Sequence, residues 1–118
     1  MDRLIALSLV LCSCALFVPA EREDGNQLVW FDPSASSVQL VGDWNQWGGL
    51  AGPSGTLNPL CGRMAYSEGY WKAEVPDTLS RGRYRYAFLV NCSTLQGDPA
   101  NPIAADFRGN PVSLLIID

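Results

Sequence analysis

The chain contains no histidine. That absence removes the His-based catalytic triads, the His-ligated zinc sites and the commonest general base near neutral pH. A basic surplus is missing too: the formal net charge is −4, which argues against nucleic acid as a partner and against electrostatic attachment to an anionic membrane. There is no internal repeat and no stretch of helical period long enough to specify a helix. No phosphate loop, nucleophile elbow or metal-spaced cluster occurs, so no cofactor and no metal are expected. Asp43, Asp98 and Asp106 are the carboxylates one would weigh as an acid/base pair or calcium ligands. Asp43 and Asp98 fit turn positions better. A chain of 118 residues with neither histidine nor a convincing acid/base pair is not expected to be an enzyme.

What is present begins with an export signature. Met1-Asp2-Arg3 precedes an apolar run from Leu4 to Val18, the pattern of a secretory signal. Two cleavage points compete: a lipobox, Leu11-Cys12-Ser13-Cys14, that would lipidate Cys14, and the small-residue site Val18-Pro19-Ala20. The run to Ala20 is short against the roughly 20 apolar residues of a spanning helix. Membrane contact is therefore expected only through a lipid anchor, and the protein is expected in the periplasm or cell envelope. Residues 1–20 read as the signal, 21–27 as a tether, and 28–118 as one domain, since about 98 residues hold one core and not two. Exported cysteines usually pair. Cys61 and Cys92 are then expected to form a disulfide, contributing about 3–4 kcal/mol; two free thiols are the alternative.

Beyond the tether, apolar residues alternate with polar ones in short runs between turn signals. Strands are expected at Leu28–Phe31, at Val38–Val41, at Gly69–Val75 with Trp71, Ala73 and Val75 on one face, and at Arg83–Val90. In the last of these Tyr84, Tyr86, Phe88 and Val90 oppose Arg83, Arg85, Ala87 and Leu89. Val112–Ile117 is almost wholly apolar and is expected to be buried on both faces. Gly48 to Leu57, rich in Gly, Pro and Ser, reads as an inserted surface loop. Strands of this length and spacing indicate an all-β fold, a small antiparallel β-sandwich.

Five segments carry a resemblance: VWFDPSASSVQLVGDWNQW from Val29, GYWKAEV from Gly69, GRYRYAFLV from Gly82, DPANP from Asp98 and GNPVSLLI from Gly109. In this order they resemble the isoamylase early-set domain, also called carbohydrate-binding module family 48, which includes the glycogen-binding domain of the AMP-activated protein kinase β subunit. The resemblance implies an immunoglobulin-like sandwich that binds α-1,4-glucans in some members and packs against a glycan-processing enzyme in others. It implies that Trp47 is an exposed sugar-stacking platform and that Trp44 packs beneath the loop. Asn45, Arg85 and Asn110 are then the candidate polar contacts to sugar hydroxyls. Trp30 and Trp71, on strands, are expected in the core, and the cluster Arg81, Arg83 and Arg85 on a solvated strand face.

The chain also departs from that pattern. Glucan-binding members carry a lysine where Ala87 stands, and a second stacking tryptophan where Leu95 or Thr94 stands. Cys61 and Cys92 lie in the two loops that depart from the pattern, which suggests one shared local feature. Two functions follow as expectations. The first is a non-catalytic module that binds glycogen or another α-glucan polysaccharide through Trp47. The alternative is a structural or protein-interaction domain, docking a partner at the cell envelope, that has lost its sugar site.

Overall fold

The computed structural model describes residues 27–118. The signal, Cys14 with its lipidation, and nearly all of the tether lie outside the described residues. The described chain folds as two antiparallel sheets in an immunoglobulin-like sandwich. One sheet has the order β1 (Gln27–Phe31), β4 (Tyr70–Glu74), β3 (Ala65–Ser67). The other runs β2 (Val38–Gly42), β5 (Gly82–Val90), β8 (Asn110–Ile117), β7 (Ala104–Phe107), with the short β6 (Thr94–Gln96) paired to the end of β5. The all-β expectation holds, and all five expected strands are present. Three strands not read from sequence, β3, β6 and β7, are only three or four residues long. Each is too short to show a period.

Alternation decides which side chains face the partner sheet. Val38 and Leu40 of β2 and Tyr86 and Phe88 of β5 pack with Met64, Trp71 and Val75 in the core between the sheets. Trp30 joins them, its ring centroid 5.4 Å from that of Phe88. Trp71 donates its indole N–H to the backbone oxygen of Asp32 at 2.8 Å, so the ring's one polar group is satisfied as it is buried. Trp30 and Trp71 are core residues, as expected.

The opposite face of the same two strands is also apolar. Val41, Ala87 and Leu89 form a second buried cluster with Trp47, Phe107 and Val112, and Leu50, Leu57 and Leu95 close over it. Gly48 to Leu57 is thus not a free surface excursion. It is the lid on an outer core, and it explains why all five residues of β2 and the last five of β5 are buried.

One side chain ties this lid down. Gln39 is fully buried on the outer face. Its amide donates to the backbone oxygens of Asn58 at 3.0 Å and Cys61 at 2.9 Å. The chain then returns along β2, with Leu40 N donating to Gly62 O at 2.7 Å and Met64 N to Val38 O at 2.9 Å. Gly62 has φ +71°, and any Cβ there would overlap the Leu40 carbonyl. Only glycine lets the returning chain approach so closely.

Two expectations need correction. Val112–Ile117 is not buried on both faces: Val112 and Ser113 are, but Leu114 and Leu115 are half-buried and Ile116 is 44% exposed. The reason is coverage. The edge strand β7 pairs only as far as Ser113, and beyond it β8 lies beside the exposed start of β5. Cys61 and Cys92 are free thiols, not a disulfide. They do share one feature, the Gln39 amide: it donates to the Cys61 carbonyl, and its oxygen accepts from the Cys92 thiol at 3.6 Å. A glutamine bridges the two loops where a disulfide was expected.

Replacing Gln39 by Met keeps its volume but strips the Cys61 carbonyl of its donor and leaves Asn58 O with only the Cys61 N–H. Gln39→Met is expected to lower stability by roughly 1–3 kcal/mol, read as a shift of the urea midpoint. Amide exchange should quicken first between Asn58 and Met64.

Candidate functional site

The segment after β2, Asp43–Gly49, is a kinked run of 310 turns. Gln46 and Trp47 both have φ 55°, followed by Gly48 at 72°, a left-handed run that costs free energy at the two non-glycine positions. Local hydrogen bonds hold it. Asn45 Oδ1 accepts from Gly42 N at 3.0 Å and Gly48 N at 3.4 Å, while its Nδ2 donates to Leu40 O at 3.1 Å. Ala51 N donates to Gln46 O at 2.9 Å. Asn45 therefore spends its polar atoms on the loop itself.

Asp43 is the hub of this region. Its carboxylate accepts from the Trp47 indole N–H at 3.1 Å, from the Arg85 backbone N–H at 2.7 Å, and from Arg85 Nε at 3.3 Å and Nη2 at 3.0 Å. Partial burial works against the charged form. The hydrogen bonds from the Arg85 side chain, the Arg85 backbone and the Trp47 indole, with the guanidinium charge, outweigh it and hold the Asp43 carboxyl below its ordinary range. Arg85 also donates from Nη1 to Asp106 O at 3.0 Å. It differs in this from Arg81 and Arg83, which lie exposed as expected.

Trp47 is not an exposed platform. It is 1% exposed, and its ring lies parallel to Phe107, with centroids 3.9 Å apart and planes 10° apart. Its N–H is taken by Asp43, and the left-handed turn rolls the ring inward onto the outer core. The guanidinium carbons of Arg85 and Arg108 lie 5.7 and 5.0 Å from the Phe107 centroid, in cation–π range. Phe107 ends β7, and the two-residue turn Arg108-Gly109, both at positive φ, folds Asn110 back opposite it. Asn110 Nδ2 donates to Phe107 O at 3.1 Å.

Three of the four sequence-expected contacts, Trp47, Arg85 and Asn110, therefore converge on Phe107, and Asn45 shapes the loop that delivers Trp47. The flat partner on the Trp47 ring belongs to the protein itself. Trp44 packs against the inter-sheet core, as expected, but stays half-buried: its ring lies near Tyr84 and Tyr86 with centroids 6.4 Å away from each, and it lines a surface cleft. Both indoles therefore pack on apolar clusters, and Trp47, expected outside, is the more deeply buried of the two. Ala87, where glucan-binding members of the resembled family carry a lysine, is fully buried under the loop, and Leu95 packs on the same cluster.

A second polar centre lies on the opposite face of β5. Tyr86 donates its hydroxyl to Asp98 at 2.8 Å and accepts from Asn101 Nδ2 at 3.1 Å. Burial, opposed by the Asn101 hydrogen bond and reinforced by Asp98, pushes the Tyr86 phenol well above its usual value. Asp98 also accepts from Ala100 N at 2.9 Å, the turn role expected of it. These groups fasten the DPANP loop to β5 and β8. Among the described residues no group of three or more acidic or thiol side chains could hold a metal ion.

Comparison with known proteins matches this chain to α-glucan enzymes. It is 28% identical over 97 residues to the 1,4-alpha-glucan branching enzyme GlgB of Nitrobacter winogradskyi, covering 80% of this chain and 12% of that enzyme. It is 26% identical over 106 residues to the enzymes of the same name from Burkholderia cenocepacia and Burkholderia orbicola, covering 90% of this chain and 13% of each. The chain thus spans only 12–13% of the length of the relatives it matches. No protein-family model matches it.

Asp43 sets an acid limit on the loop. Because its folded pKa is lowered, its contribution is complete above the ordinary value of about 3.9 and is lost as pH falls through the lower folded value. Asp43→Asn is expected to cost roughly 1–2 kcal/mol at neutral pH, allowing for solvent screening of a partly exposed pair. In thermal melts across pH 2–7 the gap between wild type and variant should close on the acid side.

Proposed function

We propose that this chain is a non-catalytic α-glucan-recognition module whose Trp47 platform is held closed by its own Phe107. The similarity to 1,4-alpha-glucan branching enzymes supports the ligand class, and the aromatic and polar groups gathered on the outer face support the mode. The observation that carries the reading is the parallel stack of Phe107 on Trp47 at 3.9 Å. A glucose ring laying its C–H face on the indole would occupy that place. Arg85 and Asn110 already lie beside it, and Asn45 holds the loop that carries the indole. In this reading residues 1–20 export the protein to the periplasm or envelope, with Cys14 as a lipid anchor if the lipobox is used.

Opening the platform has a cost. Unstacking Phe107 exposes a buried aromatic ring, about 2–3 kcal/mol. If the closed form dominates by that much, apparent affinity falls by roughly 30- to 150-fold relative to an open site.

A second reading has its own support. Ala87 and Leu95 replace the family's lysine and second tryptophan, and both are packed into the outer core. That favours a structural or protein-interaction domain with an envelope partner, in which the outer face is permanently an interior.

The two separate in native gels containing glycogen or amylopectin. The open-platform reading expects Phe107→Ala to be retarded more than wild type and Trp47→Ala/Phe107→Ala not at all, with folding of each checked by circular dichroism. A folded Phe107→Ala that migrates as in the polysaccharide-free gel would leave the second reading.

A further inference from the structure

A different surface carries a site that owes nothing to Phe107. Beside Trp44, where the returning insertion meets the end of β4, lies a cleft of about 410 Å³ lined by Leu40, Trp44, Arg63, Glu74 and Pro76, among others. Its volume falls within the roughly 300–1,000 Å³ of small-ligand sites. Three observations say what it would accept.

The first concerns the indole. The N–H groups of Trp30, Trp47 and Trp71 each find an acceptor inside the fold. Trp44 alone has none among the described residues, although its ring is half-buried. The second concerns orientation. The ring lies so close over Gly42 that a Cβ there would stand 2.9 Å from it and 2.7 Å from Arg85 O. Glycine at 42 therefore lets the ring lie against the strand end, with Tyr84 and Tyr86 beside it, so it is fixed before any ligand arrives. The third concerns charge. Arg63 and Glu74 line the same cleft and are exposed, yet the ion pair found among the described residues is Arg85–Asp43. Among the described residues, one cationic donor and one anionic acceptor of this apolar-floored cleft have no charged partner.

We propose that this cleft binds a neutral saccharide, with Trp44 carrying a C–H face of the sugar ring and Arg63 and Glu74 holding its hydroxyls. The cleft's own charges cancel, so it offers no net attraction to an ion. Each sugar hydroxyl both donates and accepts, so the stacked ring can meet the guanidinium and the carboxylate while a hydroxyl of the adjoining sugar, beside the indole edge, accepts from its in-plane N–H. The apolar floor of Leu40 and Pro76 suits the ring's C–H surface. This goes beyond the Trp47 reading and does not require the Phe107 hairpin to move.

The test is titration of the full chain with maltotriose, followed by the indole N–H signals in ¹H–¹⁵N spectra, with the Trp44 signal assigned through Trp44→Phe. The Trp44 signal should shift saturably. Arg63→Met, which leaves the core untouched, should weaken binding about tenfold or more, and Phe107→Ala should leave the Trp44 titration unchanged. Cellotriose shifting the same signal also supports a neutral-saccharide site, whatever the linkage. Trigalacturonate binding more tightly than maltotriose would overturn the neutral assignment. A shift confined to Trp47, or no saturable shift of Trp44, would overturn the site itself. The first of these outcomes would uphold the Trp47 platform, so the two readings fail separately.

Discussion

The pairing of β2 with the second half of β5 places two strands at the centre of the molecule whose side chains are apolar on both faces. Such a pair cannot be left with one side in water. The β1–β4–β3 sheet covers one face, as in any sandwich. The second face would expose Val41, Ala87 and Leu89, and it is closed by the insertion from above and by β7 from the side. Everything distinctive about the outer face follows. Gln39 is an amide rather than a hydrocarbon because the lid's backbone carbonyls need a donor. Gly62 is glycine because the lid's return strand lies against Leu40. Trp47 is interior because the lid's first turn delivers it there.

That turn is itself expensive, with two non-glycine residues in the left-handed region. It persists because Asp43 and Asn45 over-determine it. Asn45 replaces three missing backbone partnerships across the kink, and Asp43 clamps the Trp47 indole to Arg85 on the neighbouring strand. The same carboxylate thus fixes both the ring and the arginine that could meet a sugar hydroxyl. Strain held by a charged hub is a stable arrangement at neutral pH, and its dependence on one carboxylate makes the loop an acid-sensitive part of the fold.

The strands of the inter-sheet core were legible from the sequence because each is long enough to show period-2 alternation, and the faces assigned to Trp71, Ala73 and Val75 and to Tyr86 and Phe88 are the faces observed. The outer core was less legible. Ala87 and Leu89 were placed correctly on the far face, but nothing local says that a Gly- and Pro-rich segment folds back over them. The available hint was Gln39, a lone polar residue inside VQLVG, whose burial requires partners from elsewhere. Phe107 was missed because β7 is only four residues long and its ring acquires meaning only when the Arg108-Gly109 turn folds it onto a residue sixty positions earlier. The Trp47 assignment failed for a related reason: a motif gives spacing, while left-handed backbone at Gln46 and Trp47 decides direction.

The two indoles of VGDWNQW are then distinguished by what satisfies them. Trp47 has an acceptor for its N–H, an aromatic ring on its face and an apolar cluster around its edge, all supplied by the chain. No unsatisfied group is left to draw a ligand, and a sugar there must compete with Phe107 on equal terms. Trp44 has its position fixed by Gly42 and its aromatic neighbours, but its N–H has no acceptor within the described chain and its cleft keeps two opposite charges apart. Binding free energy comes from groups that are ordered before the ligand arrives and unsatisfied until it does. By that criterion the indole expected to fill the core is the better prepared of the two for recognition, and the one expected to meet the ligand already has its partner.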